Sequence, residues 1–251
     1  MYQLANFFDN ENMKQISKMG PFTVFEHEKD LSVNPGNAVA AYYASQMKVR
    51  KRQVFVEFGK SGIVTQAGAM QWMLGDVSMK SDVKGVGNLL GKMASAAVTK
   101  ETAIKPLYTG TGAMMLEPTY KHLILVDVSE WGSIVLDDGL FLACEDTLQQ
   151  KTVARSNISS AVLGNEGLFN LSLVGNGVAV LESTVPMEEL IVVNLENDVI
   201  KIDGNMAIAW SGSLNFTVEK SSKSLIGSAV SGEGFVNVYR GTGKILMAPT
   251  A

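Results

Sequence analysis

The side chains that could carry out chemistry are few in this chain, and their spacing defines no familiar active site. Two histidines are present, His27 and His122, and they lie far apart in the sequence. A zinc or iron enzyme needs several imidazole and carboxylate ligands that converge on one point, so we predict no metal site and no cofactor. The nucleophile motif Gly-x-Ser-x-Gly does not occur either.

Three acidic residues are weak candidates for ligand binding. Glu166 and Glu233 recur in the settings Asn-Glu-Gly and Gly-Glu-Gly, and Asp138 lies in the turn-like segment Asp-Asp-Gly. Carboxylates on a common ring could bind a ligand or act as acid and base, but polar turns leading into strands explain the same pattern. Cys144 follows the apolar residues Leu140-Phe-Leu-Ala, where we expect a buried small side chain rather than a nucleophile. We therefore predict no catalytic residue and no enzyme.

Glycine pairs give the chain its most regular pattern. Gly-x-Gly occurs at Gly110 and Gly112, at Gly175 and Gly177, and at Gly241 and Gly243, a period of roughly 65 residues. An apolar segment stands on each side of every pair, which predicts two strands joined by a tight glycine turn. A phosphate-binding loop would need a helix after the glycines, and here a strand follows instead.

The same period covers the preceding half of each repeat, where two apolar segments flank a short polar turn. The segments 52–76, 121–146 and 188–212 align in this way. We predict three similar β units, about 50–118, 119–183 and 184–251, that form a single domain from 50 to 251. Because such units cannot bury a face alone, they should share one core.

Composition restricts the classes of function. Hydrophobic residues make up 46% of the 251-residue chain and charged residues only 18%, which indicates a large buried interface between subunits. The net charge of −4 is unlike that of a nucleic-acid-binding protein. One cysteine fits a reducing cytoplasm, no signal peptide opens the chain, and no apolar stretch is long enough to span a membrane.

The segment before the repeats, residues 1–49, is predicted to be an extension that packs on the β domain. The first 20 residues could form a short helix or a loose arm, whereas 22–25 and 31–33 look like strands. Residues 38–49 suit helix or strand equally. A basic cluster (Lys48, Arg50, Lys51 and Arg52) favours the solvated start of a strand over an anion-binding patch.

One further helix is predicted between the halves of the first unit. Ser81 or Asp82 could cap it, and apolar residues from Val83 to Ala97 share one helical face, although three glycines weaken it. Residues 82–98 are therefore the candidate for a peripheral contact with a membrane.

Four motifs together resemble the family named for altered inheritance of mitochondria, in its bacterial branch. They are EGLFNLSLVGNGVAVL, EGFVNVYRGTGKILMAP, VTQAGAMQWMLGDVSM and GVGNLLGKMASAAVTKET. The resemblance covers about 50–251 and implies the fold of the tryptophan RNA-binding attenuation protein (TRAP). That fold is all-β, a TRAP-like β-sandwich or flattened barrel of three similar units in a pseudo-threefold arrangement, with one or two short helices. Proteins of the family often assemble as a trimer. The resemblance implies no enzymatic activity. The chain departs from the family in its N-terminal segment, which up to about Gln46 is longer than the usual start or different from it, and in Lys100-Glu-Thr, where Gly-Glu-Ser is usual.

These observations leave three hypotheses for function. We favour a non-enzymatic oligomeric scaffold or binding module that is cytoplasmic or peripheral to a membrane. The alternative is a sensor that binds a small molecule or RNA between units, which rests on fold analogy, and RNA binding would need clustered basic residues. A carboxylate-based enzyme is the third and least favoured reading.

Overall fold

A computed structural model of the chain describes residues 2–80, 105–154, 169–220 and 235–249. Within these ranges the protein is mostly β, as expected, with one short α-helix and one 3-10 helix (Val128–Trp131). The elements are β1 (Met13–Met19), β2 (Phe22–His27), α1 (Ala38–Gln46), β3 (Arg52–Glu57), β4 (Ile63–Thr65), β5 (Met70–Lys80), β6 (Leu107–Leu116), β7 (His122–Asp127), β8 (Ser133–Leu136), β9 (Phe141–Glu145), β10 (Gln149–Ala154), β11 (Phe169–Val174), β12 (Val178–Ser183), β13 (Ile191–Asp203), β14 (Ala207–Ser211), β15 (Asn215–Lys220) and β16 (Phe235–Met247).

The strands form two sheets. The first has the order β1-β2-β3-β6-β4-β9-β12-β7, with β5 paired along β6. Its last strand, β7, also contacts β1 and β3, so this sheet curls into a nearly closed barrel. The inside of the curl is filled by apolar side chains, among them Phe22, Val54, Ile63, Met114 and Val180.

The second sheet has the order β10-β11-β8-β14-β16-β13, with β15 paired to β16. A second apolar core draws side chains from both sheets, including Ile124 and Leu181 of the first and Leu136, Leu173 and Leu246 of the second. A separate aromatic cluster of Trp210, Phe216 and Tyr239 lies within the second sheet. The two sheets are therefore joined through a shared apolar interior.

The path of the chain differs between its three parts. Strands β1–β6 all belong to the first sheet and β13–β16 all belong to the second. Between them, β7, β9 and β12 lie in the first sheet while β8, β10 and β11 lie in the second. The middle of the chain therefore supplies strands to both sheets.

The glycine pairs do not close hairpins of paired strands. Gly175 and Gly177 lie between β11 and β12, which belong to different sheets, so this turn is a crossing. Gly110 and Gly112 lie inside β6, and Gly241 and Gly243 lie inside β16. Gly110 has φ = 137°, and a Cβ there would overlap the carbonyl oxygen of Asp76 on β5. Glycine is needed here because two strands approach closely, as well as for its backbone freedom.

The N-terminal segment is more regular than the sequence predicts. Residues 13–19 form strand β1, which pairs with β2 and so extends the first sheet. Phe7 covers the outer face of that sheet, where its ring lies 4.8 Å from Phe25 and 5.4 Å from Phe55. The prediction of a strand at 31–33 is wrong, because this segment forms turns that lead into α1.

Candidate functional site

Where β2 ends and β3 begins, acidic and basic side chains form a ladder of ion pairs. Glu26 and Arg52 are direct partners in the β2–β3 register. Arg52 contacts Glu26 at 2.7 Å, and Arg50 contacts both Glu26 at 2.9 Å and Glu28 at 3.1 Å. Lys51 adds a pair with Asp30 at 2.7 Å. Side chains at alternate positions of an extended chain point to the same side. The carboxylates at positions 26, 28 and 30 therefore share one side, where they contact the basic residues that follow α1.

Arg52 is the centre of this ladder, and its side chain is only 4% exposed. Its guanidinium also donates to four backbone carbonyls, those of Lys48, Arg50, Tyr120 and Lys121, at 3.1 to 3.5 Å. It therefore ties the connection after α1 to the connection between β6 and β7. The interpretation of this basic cluster as the solvated start of a strand is wrong for Arg52, which is buried and paired.

The ladder shifts the titration of its members. A hydrogen bond from Lys14, helped by the charge of Arg50, lowers the pKa of the Glu28 carboxyl. Hydrogen bonds from Lys51 and from the backbone N–H of Ser32 lower the pKa of Asp30. The same pair raises the pKa of the Lys51 ammonium. These carboxylates and ammonium groups are thus held in their charged forms.

Beside the ladder, helix α1 stands away from the sheet and leaves a cavity of about 560 Å³. Ser45, the one buried residue of the helix, donates from Oγ to the carbonyl of Glu28 at 2.7 Å. At its other end, the side chain of Asn37 accepts a hydrogen bond from the backbone N–H of Asn34. The residues that line the cavity include Ala40, Ala41 and Ala44 of the helix, His27 at the end of β2, and Lys29, Asp30, Arg50 and Lys51 of the connections after β2 and before β3.

The free edge of β13 is a second candidate surface. β13 pairs with β16 along one side, and no described strand pairs with its other side. Ile191, Val192 and Val199 are each 45% exposed on this strand. Such an edge offers backbone hydrogen-bonding groups together with apolar side chains, which is what strand-to-strand binding requires.

The structure does not bring the sequence-predicted site residues together. Glu166, Glu233 and the segment 82–98 lie outside the described residues, and Asp138 is exposed in the turn between β8 and β9. Cys144 is fully buried, and burial raises the pKa of its thiol to about 12. Among the residues that the structure describes, no group of three or more His, Cys, Asp and Glu could hold a metal ion.

The ladder and the cavity were missed by sequence reasoning. One signal was available: the alternating acids at 26, 28 and 30 mirror the basic run from Lys48 to Arg52. The match between the two runs can be recognised only when β2 and β3 are known to pair. The strand that we predicted at 31–33 suggested a different partner for β2.

Comparison with known proteins places this fold in a family. The model of the family described as "Mitochondrial biogenesis AIM24" matches residues 44–250. The chain belongs to that family.

Two streptococcal proteins are similar to this chain. An uncharacterized protein of Streptococcus pyogenes serotype M6 is 28% identical over 201 residues, covering 77% of this chain and 78% of that protein. The crystal structure of a Streptococcus pyogenes protein superposes with a TM-score of 0.56 at 24% identity, covering 79% of this chain and 88% of that one. At this level of identity the second likeness shows the fold alone.

Over the described ranges, no helix has the length and apolar character needed to cross a bilayer.

Proposed function

We propose that the protein is a non-enzymatic scaffold or binding module that assembles with copies of itself into a ring, of which a trimer is the favoured form. The observation that carries the proposal is the unpaired edge of β13, which runs for 13 residues and exposes three large apolar side chains. Proteins normally cover, shorten or charge such edges because they template pairing with other chains. A second copy of the chain would cover it.

The charges of β13 argue against pairing with itself. In an antiparallel pair of two β13 strands centred on Asn197, Glu196 of one copy would lie opposite Asp198 of the other. Like charges directly opposite each other are destabilising. Pairing between two different edges avoids this contact, and repeated use of a heterologous contact closes a ring.

Strand β5 is the best candidate for the complementary edge. It is 11 residues long, pairs with β6 on one side, and has no described strand on the other. Met73 and Met79 are exposed on it, and its two charged residues, Asp76 and Lys80, cancel. The edges of β5 and β13 therefore match in length and in apolar character. Their pairing also avoids the repulsion between Glu196 and Asp198 that two β13 strands would have.

The three-unit arrangement with pseudo-threefold symmetry is part of the same proposal. The positions of the strands along the chain support it, because β3–β6 lie in the unit 50–118, β7–β12 in 119–183 and β13–β16 in 184–251. The three units nevertheless distribute their strands differently between the two sheets. At the equivalent position of the repeat, the first and third units each have one long strand, β6 or β16, whereas the middle unit has the two strands β11 and β12. Residues 1–49 remain in this proposal an extension packed on a single domain from 50 to 251.

A role without catalysis is supported by the surroundings of the reactive groups. Cys144 is inaccessible, and Asp138 stands alone in an exposed turn. The basic side chains of the ladder are engaged by carboxylates, which supports the expectation that nucleic acid is not a partner. We retain the cytoplasm as the proposed location, from the single cysteine, and 82–98 as the proposed site of a peripheral membrane contact.

Native mass spectrometry and light scattering test the proposal. The wild-type protein should form a trimer, and Val192→Lys combined with Val199→Lys should give monomers with an unchanged circular dichroism spectrum. The matched control combines Val39→Lys in α1 with Met47→Lys directly after the helix, two exposed positions, and should leave the trimer intact. A monomeric wild-type protein, or a trimer that survives the β13 substitutions, would refute assembly through this edge.

A further inference from the structure

The cavity beneath α1 has two unlike walls. The helix contributes the methyl groups of Ala40, Ala41 and Ala44, and the opposite wall contributes charged groups of the ion-pair ladder. We infer that this cavity binds a small amphipathic anion, a molecule with an alkyl body and a carboxylate or phosphate head. The alkyl body lies against α1 and the head lies against the ladder.

The apolar side of the argument rests on the helix. From Ala38 to Gln46, α1 has no charged residue, yet Ser45 is its only buried one. A helix that is apolar on all sides is normally buried, and here small alanine side chains leave the space beneath it open. A cavity of about 560 Å³ lies within the usual range for small-molecule sites. An alkyl chain in that space would remove apolar surface from water on both partners.

The charged side of the argument rests on an excess of cations. Lys29, Arg50 and Lys51 line the cavity together with two carboxylates, Glu28 and Asp30. The ion pairs of the ladder involve four cations (Lys14, Arg50, Lys51 and Arg52) and three carboxylates (Glu26, Glu28 and Asp30), and Lys29 adds a fifth cation. This local excess of positive charge stands in a chain whose net charge is −4. An anionic head would balance it.

Lys29 provides the available partner for that head. Its ammonium group forms no ion pair or hydrogen bond with any residue that the structure describes, although its backbone is held firmly. Asn12 accepts from the N–H of Lys29 at 2.9 Å and donates to its carbonyl at 2.8 Å. The side chain therefore begins from a fixed point at the rim of the cavity, which lowers the entropy lost on binding.

This site is independent of the self-association proposed above, because α1 and the loop before it are separate from β5 and β13. The family model begins at residue 44, within α1. Most of the helix and the loop that leads into it thus precede the region matched to the family, whereas Ala44, Arg50 and Lys51 lie within it.

Titration calorimetry with decanoate tests the inference on the full-length protein. Decanoate should bind saturably, whereas decanol, which lacks the charge, should bind at least about tenfold more weakly, as expected for the loss of one charge-assisted contact. Decyltrimethylammonium should not bind. Decyl phosphate, run in parallel, identifies whether carboxylate or phosphate is the preferred head, and tighter binding of either anion than of decanol supports the site.

Two variants and a control locate the binding. Lys29→Gln should weaken decanoate binding about tenfold by the same reasoning, and Ala41→Phe should abolish it by filling the cavity. Ala44→Leu provides a milder filling if Ala41→Phe changes the circular dichroism spectrum. Lys201→Gln, which removes an exposed lysine of β13, should bind decanoate like the wild type.

Three results would overturn the inference. The first is no saturable binding of either decanoate or decyl phosphate, and the second is equal affinity for the tighter-binding of these anions and for decyltrimethylammonium. The third is binding to phosphatidylglycerol vesicles without binding of either free anion, which would mean that the exposed face of α1 contacts a membrane surface instead. None of these results bears on the trimer, so the two proposals fail separately.

Discussion

The carboxylate of Glu26 lies opposite the guanidinium of Arg52 across strands β2 and β3, with Oε2 and Nη2 2.7 Å apart. Both side chains are almost excluded from solvent, and Arg52 also satisfies four backbone carbonyls. The pair therefore joins strand β2 to two connections that are distant in sequence, the one after α1 and the one between β6 and β7.

Replacing Arg52 should be costly. Arg52→Ala leaves the buried Glu26 carboxylate with one fewer partner and four carbonyls without their donor, so we expect a loss of about 3–5 kcal/mol in the free energy of unfolding. Urea denaturation measures this loss. Lys18→Gln is the control, because it breaks the exposed pair with Glu57 and should cost no more than about 1 kcal/mol. Equal effects of the two substitutions would contradict the importance of burial.

Acid should weaken the contact between β15 and β16. Hydrogen bonds from Arg240, and then from Thr217, lower the pKa of Glu219 to about 2 from its ordinary 4.5. A carboxylate with a lowered pKa stabilises the fold above its unfolded pKa and loses this contribution as pH falls through its folded pKa. The stabilisation should thus be complete above pH 4.5 and disappear towards pH 2.

Urea midpoints measured between these pH values test the assignment. The difference between the wild type and Glu219→Gln should shrink as the pH falls through the window. A constant difference for Glu219→Gln would show that the Arg240 pair does not titrate as inferred.

Gly110 should not accept a side chain. Gly110→Ala adds a Cβ where β6 meets the Asp76 carbonyl, at a backbone φ of 137°, and should destabilise the fold by more than about 1 kcal/mol. At Gly59, nothing lies within 4 Å of an added Cβ, so Gly59→Ala should stay within about 0.5 kcal/mol of the wild type. Thermal unfolding of the two variants provides the comparison, and a tolerated Gly110→Ala would mean that β5 and β6 are farther apart.

Cys144 should react only when the protein unfolds. Its side chain is fully buried and burial raises the pKa of its thiol to about 12, so little thiolate forms and no reagent reaches it. Labelling with Ellman's reagent should be slower in the native protein than in urea by at least about a hundredfold. A variant with Leu31→Cys, at a position 74% exposed, should show one fast and one slow thiol. Two fast thiols would contradict the burial of Cys144.

Local sequence patterns predicted the mostly β fold and the family, because alternating apolar residues and glycine positions are local properties of the chain. They could not predict which strands pair. The role of Gly110 is an example, since its close neighbour is Asp76 on another strand and not a residue of its own turn. The sequence alone therefore suggested a hairpin where the structure has a continuous strand.

The candidate site was less predictable than the fold. Its ladder combines residues near 26–30, 48–52 and 120, which meet only through the pairing of β2 with β3. The helix beside it has a composition of alanine and tyrosine that suits a helix or a strand, and no pattern in it indicates a cavity. Both the ladder and the cavity depend on tertiary contacts, which a local sequence pattern does not show.

The alternation of β7–β12 between the two sheets limits how the molecule can be divided. A break in the chain anywhere from 137 to 177 would separate β8 from β12 and leave two fragments, neither of which would hold all the strands of either sheet. The sheets also share the apolar core between them. The polypeptide should therefore behave as one cooperative unit in calorimetry, and complementary fragments cut within the middle strands should regain structure only when mixed.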